Sequence, residues 1–149
     1  MAGITQAMCT SFKVEILEAV HNFSNPGGNT FKIALFKSGV TGTYGAATTN
    51  YSDMTGNTDE VTGTGYVAGG NTLVSVTPTS SGTTAFTDFA DTTWTTATIT
   101  ASGAMIYNSS ASDAAVCVLN FGGDKTSTAG DFTIIFPTAS ASDAIIRIA

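Results

Sequence analysis

Apolar side chains recur every three or four positions near the start of the chain, at Phe12, Ile16, Val20 and Phe23, with Leu17 beside them. That spacing is one face of a helix and predicts one from about Ser11 to Asn22, with Thr10 or Ser11 as its cap. Lys13, Glu15, Glu18 and His21 lie mostly off the stripe, so the predicted helix is amphipathic with a wide apolar face. Burying the four stripe residues would contribute about 1.5–3 kcal/mol each, whereas a lone helix of about twelve residues is marginal in water. The helix must therefore pack on something, either its own sheet or a neighbouring chain. Asn25-Pro26-Gly27-Gly28-Asn29 ends the pattern, because proline cannot continue a helix and glycine and asparagine tolerate turn geometry.

From Phe31 the period changes to two. Phe31, Ile33 and Leu35 alternate with Lys32, Ala34 and Phe36 in a first strand. Residues 38 to 70 are rich in Gly, Thr, Asn and Asp, with short patches at 46–51 and 60–67 that suit edge strands or an exposed interaction loop. Beyond Asn71 the alternation is regular, predicting strands at 72–77, 84–89, 94–100, 103–107, 114–121, 130–136 and 144–148. Gly122-Gly123-Asp124 and Ser127 to Gly130 read as turns between them. Short strands at about ten-residue spacing predict a mainly β protein: a single antiparallel β-sandwich, jelly-roll-like, with one N-terminal amphipathic helix. The expected division is an N-terminal segment, 1–28, and a sandwich domain, 29–149.

Many of these strands carry Val, Ile or Phe on one face and Thr, Ser or Ala on the other. A polar but uncharged outer face suits close packing against another protein, since hydroxyls and methyls cost less to desolvate than charges. It equally suits a solvated threonine-rich surface.

Composition sharpens the functional question. Five Lys and Arg, eleven Asp and Glu and one His leave 11% of the chain charged, against about 25% in an ordinary soluble domain. Acid–base and metal chemistry both need ionisable side chains, so the scarcity points away from an enzyme. A net charge of −6 with scattered cations argues against nucleic acid. No apolar run approaches the roughly 20 residues that span a bilayer, and Met1 to Thr10 lacks the pattern of a signal peptide. The reading is of a soluble, cytoplasmically made protein. Cys9 and Cys117 are expected to be buried thiols, with a disulfide the alternative, and the Asn-x-Ser/Thr sequons at Asn22, Asn50 and Asn108 are expected to be chance.

The candidates for chemistry are few. His21 reads as a residue near the helix C-terminus meeting the dipole and solvent, rather than a general base or metal ligand. Glu15 and Glu18 read as a solvated face. Asp53, Asp59 and Glu60 gather carboxylates in one loop, but their spacing is not that of an EF-hand. Gly63-Thr64-Gly65-Tyr66-Val67-Ala68-Gly69 is out of register for a nucleotide-binding loop and fits a tight corner or bulge better. Trp94 reads as a core anchor, with stacking on a sugar as the alternative. No catalytic, cofactor-binding or metal residue is assigned, and no cofactor is expected.

Several stretches together resemble a widespread group of small bacteriophage virion proteins, encoded among the structural genes of tailed phages. They are CTSFKVEILEAVHNF from Cys9, NTFKIALFKSG from Asn29, GTGYVAGGNTL from Gly63, FTDFADTTWTTATITASGAMIYN from Phe86, FGGDKTSTAGDFTIIFP from Phe121 and AIIRIA from Ala144. The resemblance covers nearly the whole chain and brings no catalytic residue with it. What it implies is a non-enzymatic structural protein of the virion, in first place a capsid decoration or cement protein. Such a protein would bind major capsid proteins on the head surface, and it implies a homotrimer. The alternative it leaves is a head-fibre, tail-fibre or other tail-appendage subunit with receptor- or glycan-binding loops at Tyr44, Tyr51, Tyr66 and Trp94. For the attachment surface the expectation is the N-terminal segment, with Phe12, Ile16, Val20 and Phe23 as partner-binding anchors, or else as cover for the protein's own core.

Overall fold

The structure is a computed structural model that describes residues 1–149. It is 48% strand and 9% helix, so the mainly β expectation stands. In chain order the elements are β1 (Gly3–Ile4), β2 (Ala7–Met8), α1 (Thr10–Leu17), β3 (Phe31–Lys37), β4 (Thr43–Tyr44), α2 (Ser52–Gly56), β5 (Asn71–Thr72), β6 (Ser75–Ser81), β7 (Thr84–Phe89), β8 (Thr92–Asn108), β9 (Ala114–Ile134) and β10 (Ile146–Ile148). The strands form a five-stranded antiparallel sheet, β2-β9-β8-β3-β5, and a three-stranded antiparallel sheet, β10-β7-β6. β1 and β4 make a short parallel pair.

Four of the predicted strands merge into two. β8 and β9 form one long hairpin, paired from Thr92 with Ile134 to Asn108 with Ala114. The glycine-rich stretches that read as turns are absorbed into it as bulges. Between the pairs Ala101 with Lys125 and Gly103 with Asn120, β9 carries the extra residues that include Gly122 and Gly123. A second irregularity at Thr96, whose φ is 52°, keeps one face of β8 in phase. Trp94, Ala97 and Ile99 are all buried although Trp94 and Ala97 are an odd number of residues apart, because the extra residue shifts the alternation by one.

The central sheet is covered on both sides, which is why β3 and the second half of β8 are almost wholly buried. On one face the Phe31 ring stacks on Phe23 at 4.3 Å and meets Phe89 of β7 at 5.7 Å. On the other, Phe36 packs on Tyr44 at 4.3 Å and Tyr107 on Tyr51 at 4.6 Å, so residues 43–66 with the short helix α2 form a lid. That stretch was expected as edge strands or an exposed loop; it is instead a covering layer with Met54 and Val61 in the core.

The N-terminal helix is shorter than its apolar spacing predicts. It ends at Leu17, where Ala19 takes a left-handed conformation with φ 58°. The Val20 N–H donates to the Glu15 carbonyl at 2.9 Å and the Ala19 N–H to the Ile16 carbonyl at 3.2 Å, a Schellman closure with alanine where glycine is usual. The chain then turns back, leaving Val20 exposed and carrying His21 and Phe23 into the interior. Cys9, Phe12 and Phe23 share one core cluster with the sheets. Both cysteines are free and buried. Burial pushes the Cys9 thiol up to about 11 and the Cys117 thiol up to about 12, so both stay protonated and unreactive. No helix is long and apolar enough to cross a membrane.

Candidate interaction surfaces

The side chains with the most chemistry are committed to holding the fold. His21 is buried, not solvated at a helix end as expected, because the helix stops before reaching it. Its environment fixes its tautomer. The Asn108 side-chain oxygen accepts from the Ser110 N–H at 3.0 Å, so the Asn108 amide nitrogen must donate its protons to Asn29 Oδ1 and to His21 Nδ1, each at 3.0 Å. Nδ1 is therefore an acceptor, and Nε2–H donates to Glu15 at 2.7 Å. The ring is wedged beside Phe12, Phe23 and Phe31. It ties the helix to the end of β8 and has no open side for a substrate or metal. Glu15 is thus a partner of His21, whereas Glu18 is exposed as expected.

Asp53, Asp59 and Glu60 point three ways. Asp53 accepts from the backbone N–H groups of Thr49 and Asn50, at 2.8 and 3.3 Å, and so braces the first turn of α2. Asp59 is fully buried and accepts from the N–H groups of Thr41 and Gly42, the Tyr44 hydroxyl at 2.7 Å and Lys37 Nζ at 3.2 Å. Burial alone would raise its pKa, but these donors overcome that and hold the carboxyl well below the usual range. Glu60 accepts from the hydroxyls of Tyr51 and Tyr66, at 2.5 and 2.8 Å, and from the Gly69 N–H at 2.7 Å. Nowhere do three His, Cys, Asp or Glu side chains come together as a metal site would need.

The aromatic residues assigned to exposed loops are not there. Trp94 and Tyr44 are buried, and Tyr51 and Tyr66 are partly buried with their hydroxyls on Glu60. Burial, followed by the hydrogen bond to Glu60, drives the Tyr51 hydroxyl's pKa well above its ordinary value. These rings pin the lid to the sheet: Tyr44 packs on Phe36, Tyr51 on Tyr107 and Tyr66 on Trp94. The glycine-rich stretch at 63–69 runs close along β8: a side chain at Gly63 would collide with the Thr98 carbonyl, and Thr64 bridges to Thr98. It is a close backbone approach, as the corner-or-bulge reading expects.

The four expected anchors divide. Phe12 and Phe23 are core residues, already covered by their own chain; Ile16 is half-buried; Val20 stands exposed. The outward side of α1 instead presents Val14, 52% exposed, and Leu17, 88% exposed. Between α1 and β10 runs an apolar groove of about 380 Å³, lined by Met8, Phe12, Ile16, Leu17, Ile146 and Ile148 among others. Leu17 was visible beside the predicted stripe; Ile148 carried no signal, since its place opposite the helix is set by β10 pairing with β7.

A second surface lies on the outer face of the β8–β9 hairpin. Thr93 and Thr133 share a hydroxyl hydrogen bond at 2.8 Å, as do Thr100 and Thr126. Thr95, Thr98 and Thr128 are exposed on the same arm. A shallow polar groove of about 320 Å³ joins Thr62, Thr98, Thr100, Thr126 and Thr128, with Lys37 and Glu60 at its rim. Cross-strand pairing of the hydroxyls orders these side chains before any partner arrives.

Compared with protein-family models, with curated proteins and with solved structures, the chain finds no match.

Proposed function

We propose that this chain is a non-enzymatic bacteriophage virion protein that decorates the head, holding major capsid proteins through the threonine face of its long hairpin. The observation that carries the reading is that face: hydroxyls paired across strands, with few charges on a chain of net charge −6. Such a surface is cheap to desolvate and rich in donors and acceptors for a partner's backbone. The resemblance of the sequence to phage virion proteins supplies the particle. Reading the five- and three-stranded sheets as the leaves of a jelly-roll-like sandwich belongs to the same proposal. The protein would be made in the host cytoplasm and reside on the virion.

On the head, each contact can be weak, because later contacts of an already tethered subunit are effectively intramolecular. The test uses heads assembled without this protein. Wild-type protein added back should saturate them at hundreds of copies per particle and raise the temperature at which they release DNA. T95K and T128K place charge at exposed positions of the face whose side chains make no hydrogen bond in the fold, and they should melt like wild type yet bind at least tenfold more weakly. Absence of saturable binding by the folded wild-type protein would sink the proposal.

A further inference from the structure

We infer that residues 137–149 form a latch that opens as a unit while the rest of the chain stays folded, and that the carboxylate of Asp88 beneath it sets how readily it opens. The latch closes over β7, the middle strand of the three-stranded sheet, and its own strand, β10, is an edge.

The first observation is how little holds it. β10 meets β7 over three residue pairs, Ile146 with Thr87, Arg147 with Phe86 and Ile148 with Ala85. Ala144 and Ile146 are its buried side chains. The hydrogen bonds of 137–144 stay within the latch: Asp143 accepts from the hydroxyls of Ser140 and Ser142, the Ala144 N–H donates to the Ser140 carbonyl, and Arg147 donates to the Ala141 carbonyl. Phe136, one residue earlier, belongs to the body: it is buried, packs on Phe89 at 5.7 Å and donates its N–H to Asp91 at 2.8 Å. The hinge therefore falls at Pro137.

The second observation is unfilled space on both flanks. On one side lies the groove of about 380 Å³ against α1. On the other, a cleft of about 420 Å³ separates the latch from β9, with Leu119, Phe121 and Ile134 across from Ala144 and Ile145. A segment with few bonds to the body and loose packing on either side is the kind that opens below the free energy of global unfolding.

The third observation is the group that the latch covers. Asp88 is buried; one of its carboxylate oxygens accepts from the Phe89 N–H in its own strand at 2.8 Å, the other from the Ile145 N–H in the latch at 3.3 Å. Opening removes the second donor and returns the carboxylate to water. Among the groups around it, β6 carries nothing titratable, Asp143 and Arg147 of the latch are turned to the latch's own hydroxyls and carbonyl, and Asp91 adds a like charge. Burial, with Asp91 behind it, raises the Asp88 pKa above its ordinary value against the pull of the two N–H donors. The closed form thus holds a proton more tightly than the open one. Acid keeps the latch shut, and opening grows as pH rises from the ordinary carboxyl value through the raised one, then levels off. The inference stands whether or not the threonine face binds a capsid.

Hydrogen exchange of the full chain, resolved by amide and expressed as protection relative to an unstructured chain at each pH, tests it. The bonded amides of β10 should be protected at least about a hundredfold less than those of β3 and the inner half of β8. From about pH 4 to about pH 7 their protection should fall about threefold or more in the wild type and hold constant in D88N. A85C/I148C places cysteines at an exposed, directly opposed pair, while Cys9 and Cys117 are buried. Oxidised, this variant should protect β10 about tenfold better or more; reduced, it should exchange like wild type. Protection of β10 equal to that of the inner sheet would mean that the latch opens only with the whole chain. A pH dependence unchanged in D88N, or an oxidised A85C/I148C that exchanges as fast as the reduced form, would equally overturn the inference.

Discussion

Asp59 shows how a residue that looks like chemistry becomes architecture. Its carboxylate is buried, and its donors come from the turn at 41–44 and from Lys37, so one side chain closes the loop between β3 and the lid. D59N keeps the shape but sets an amide against those donors, and should cost about 3–5 kcal/mol in urea unfolding, the range for breaking a buried pair. The pH dependence follows from the direction of the shift. A carboxyl held below its unfolded value of about 3.9 contributes stability that is complete above that value and lost as pH falls through the lowered one. Asp88 has the opposite sign: burial raises its pKa, so its contribution is complete below the unfolded value and lost as pH rises through the raised one. From pH 7 downward the urea midpoint should therefore rise slightly and then fall below about pH 4. D88N should abolish the rise and D59N the fall; a flat wild-type profile would refute both assignments. Asp59 was legible as an acidic residue in a loop, but not its donors, because none of them is marked by spacing.

At the scale of elements, local pattern was read well where one rule governed and badly where two competed. The Phe12 to Phe23 stripe has helical spacing throughout, yet the helix stops at Leu17 because Ala19 turns left-handed and the chain bends to bury His21 and Phe23. The left-handed region costs an alanine about 1–2 kcal/mol that glycine avoids, partly offset by the freedom glycine loses on folding. A19G should therefore stabilise the protein by about 1 kcal/mol and raise its melting temperature by about 3 °C. A lower melting temperature would show that the helix end is held by something other than this closure. In the hairpin, glycine stretches that signal turns in isolation became bulges, because the pairing of β8 with β9 continues on both sides of them.

Across the whole molecule, the N-terminal segment is part of the fold. Cys9, Phe12 and Phe23 sit in the common core, β2 extends the main sheet by pairing with β9, and the His21–Asn108 bond joins the segment to β8. Deleting residues 1–23 should leave a chain without a cooperative thermal transition. Losing a buried Phe alone costs about 3–5 kcal/mol, and two of them approach the whole stability of a typical domain, about 5–15 kcal/mol. A truncated protein that melts cooperatively within a few degrees of wild type would contradict this placement.

By itself the sequence determined the mainly β class, the existence of a helix near the start, the first strand and the scarcity of groups for catalysis. Each of these rests on composition or on periodicity within a few residues, which local backbone geometry enforces. Only the tertiary structure decided which apolar residues remain outside. Phe12 and Leu17 lie in the same helix with similar hydrophobicity, and one is core while the other is exposed. Tertiary packing likewise decided that the acidic and aromatic residues of 44–66 fold inward as a lid, and that bulges keep the hairpin's buried face in register. The reason is physical: periodicity says how a segment divides into faces, but which face is buried depends on what long-range pairing brings against it.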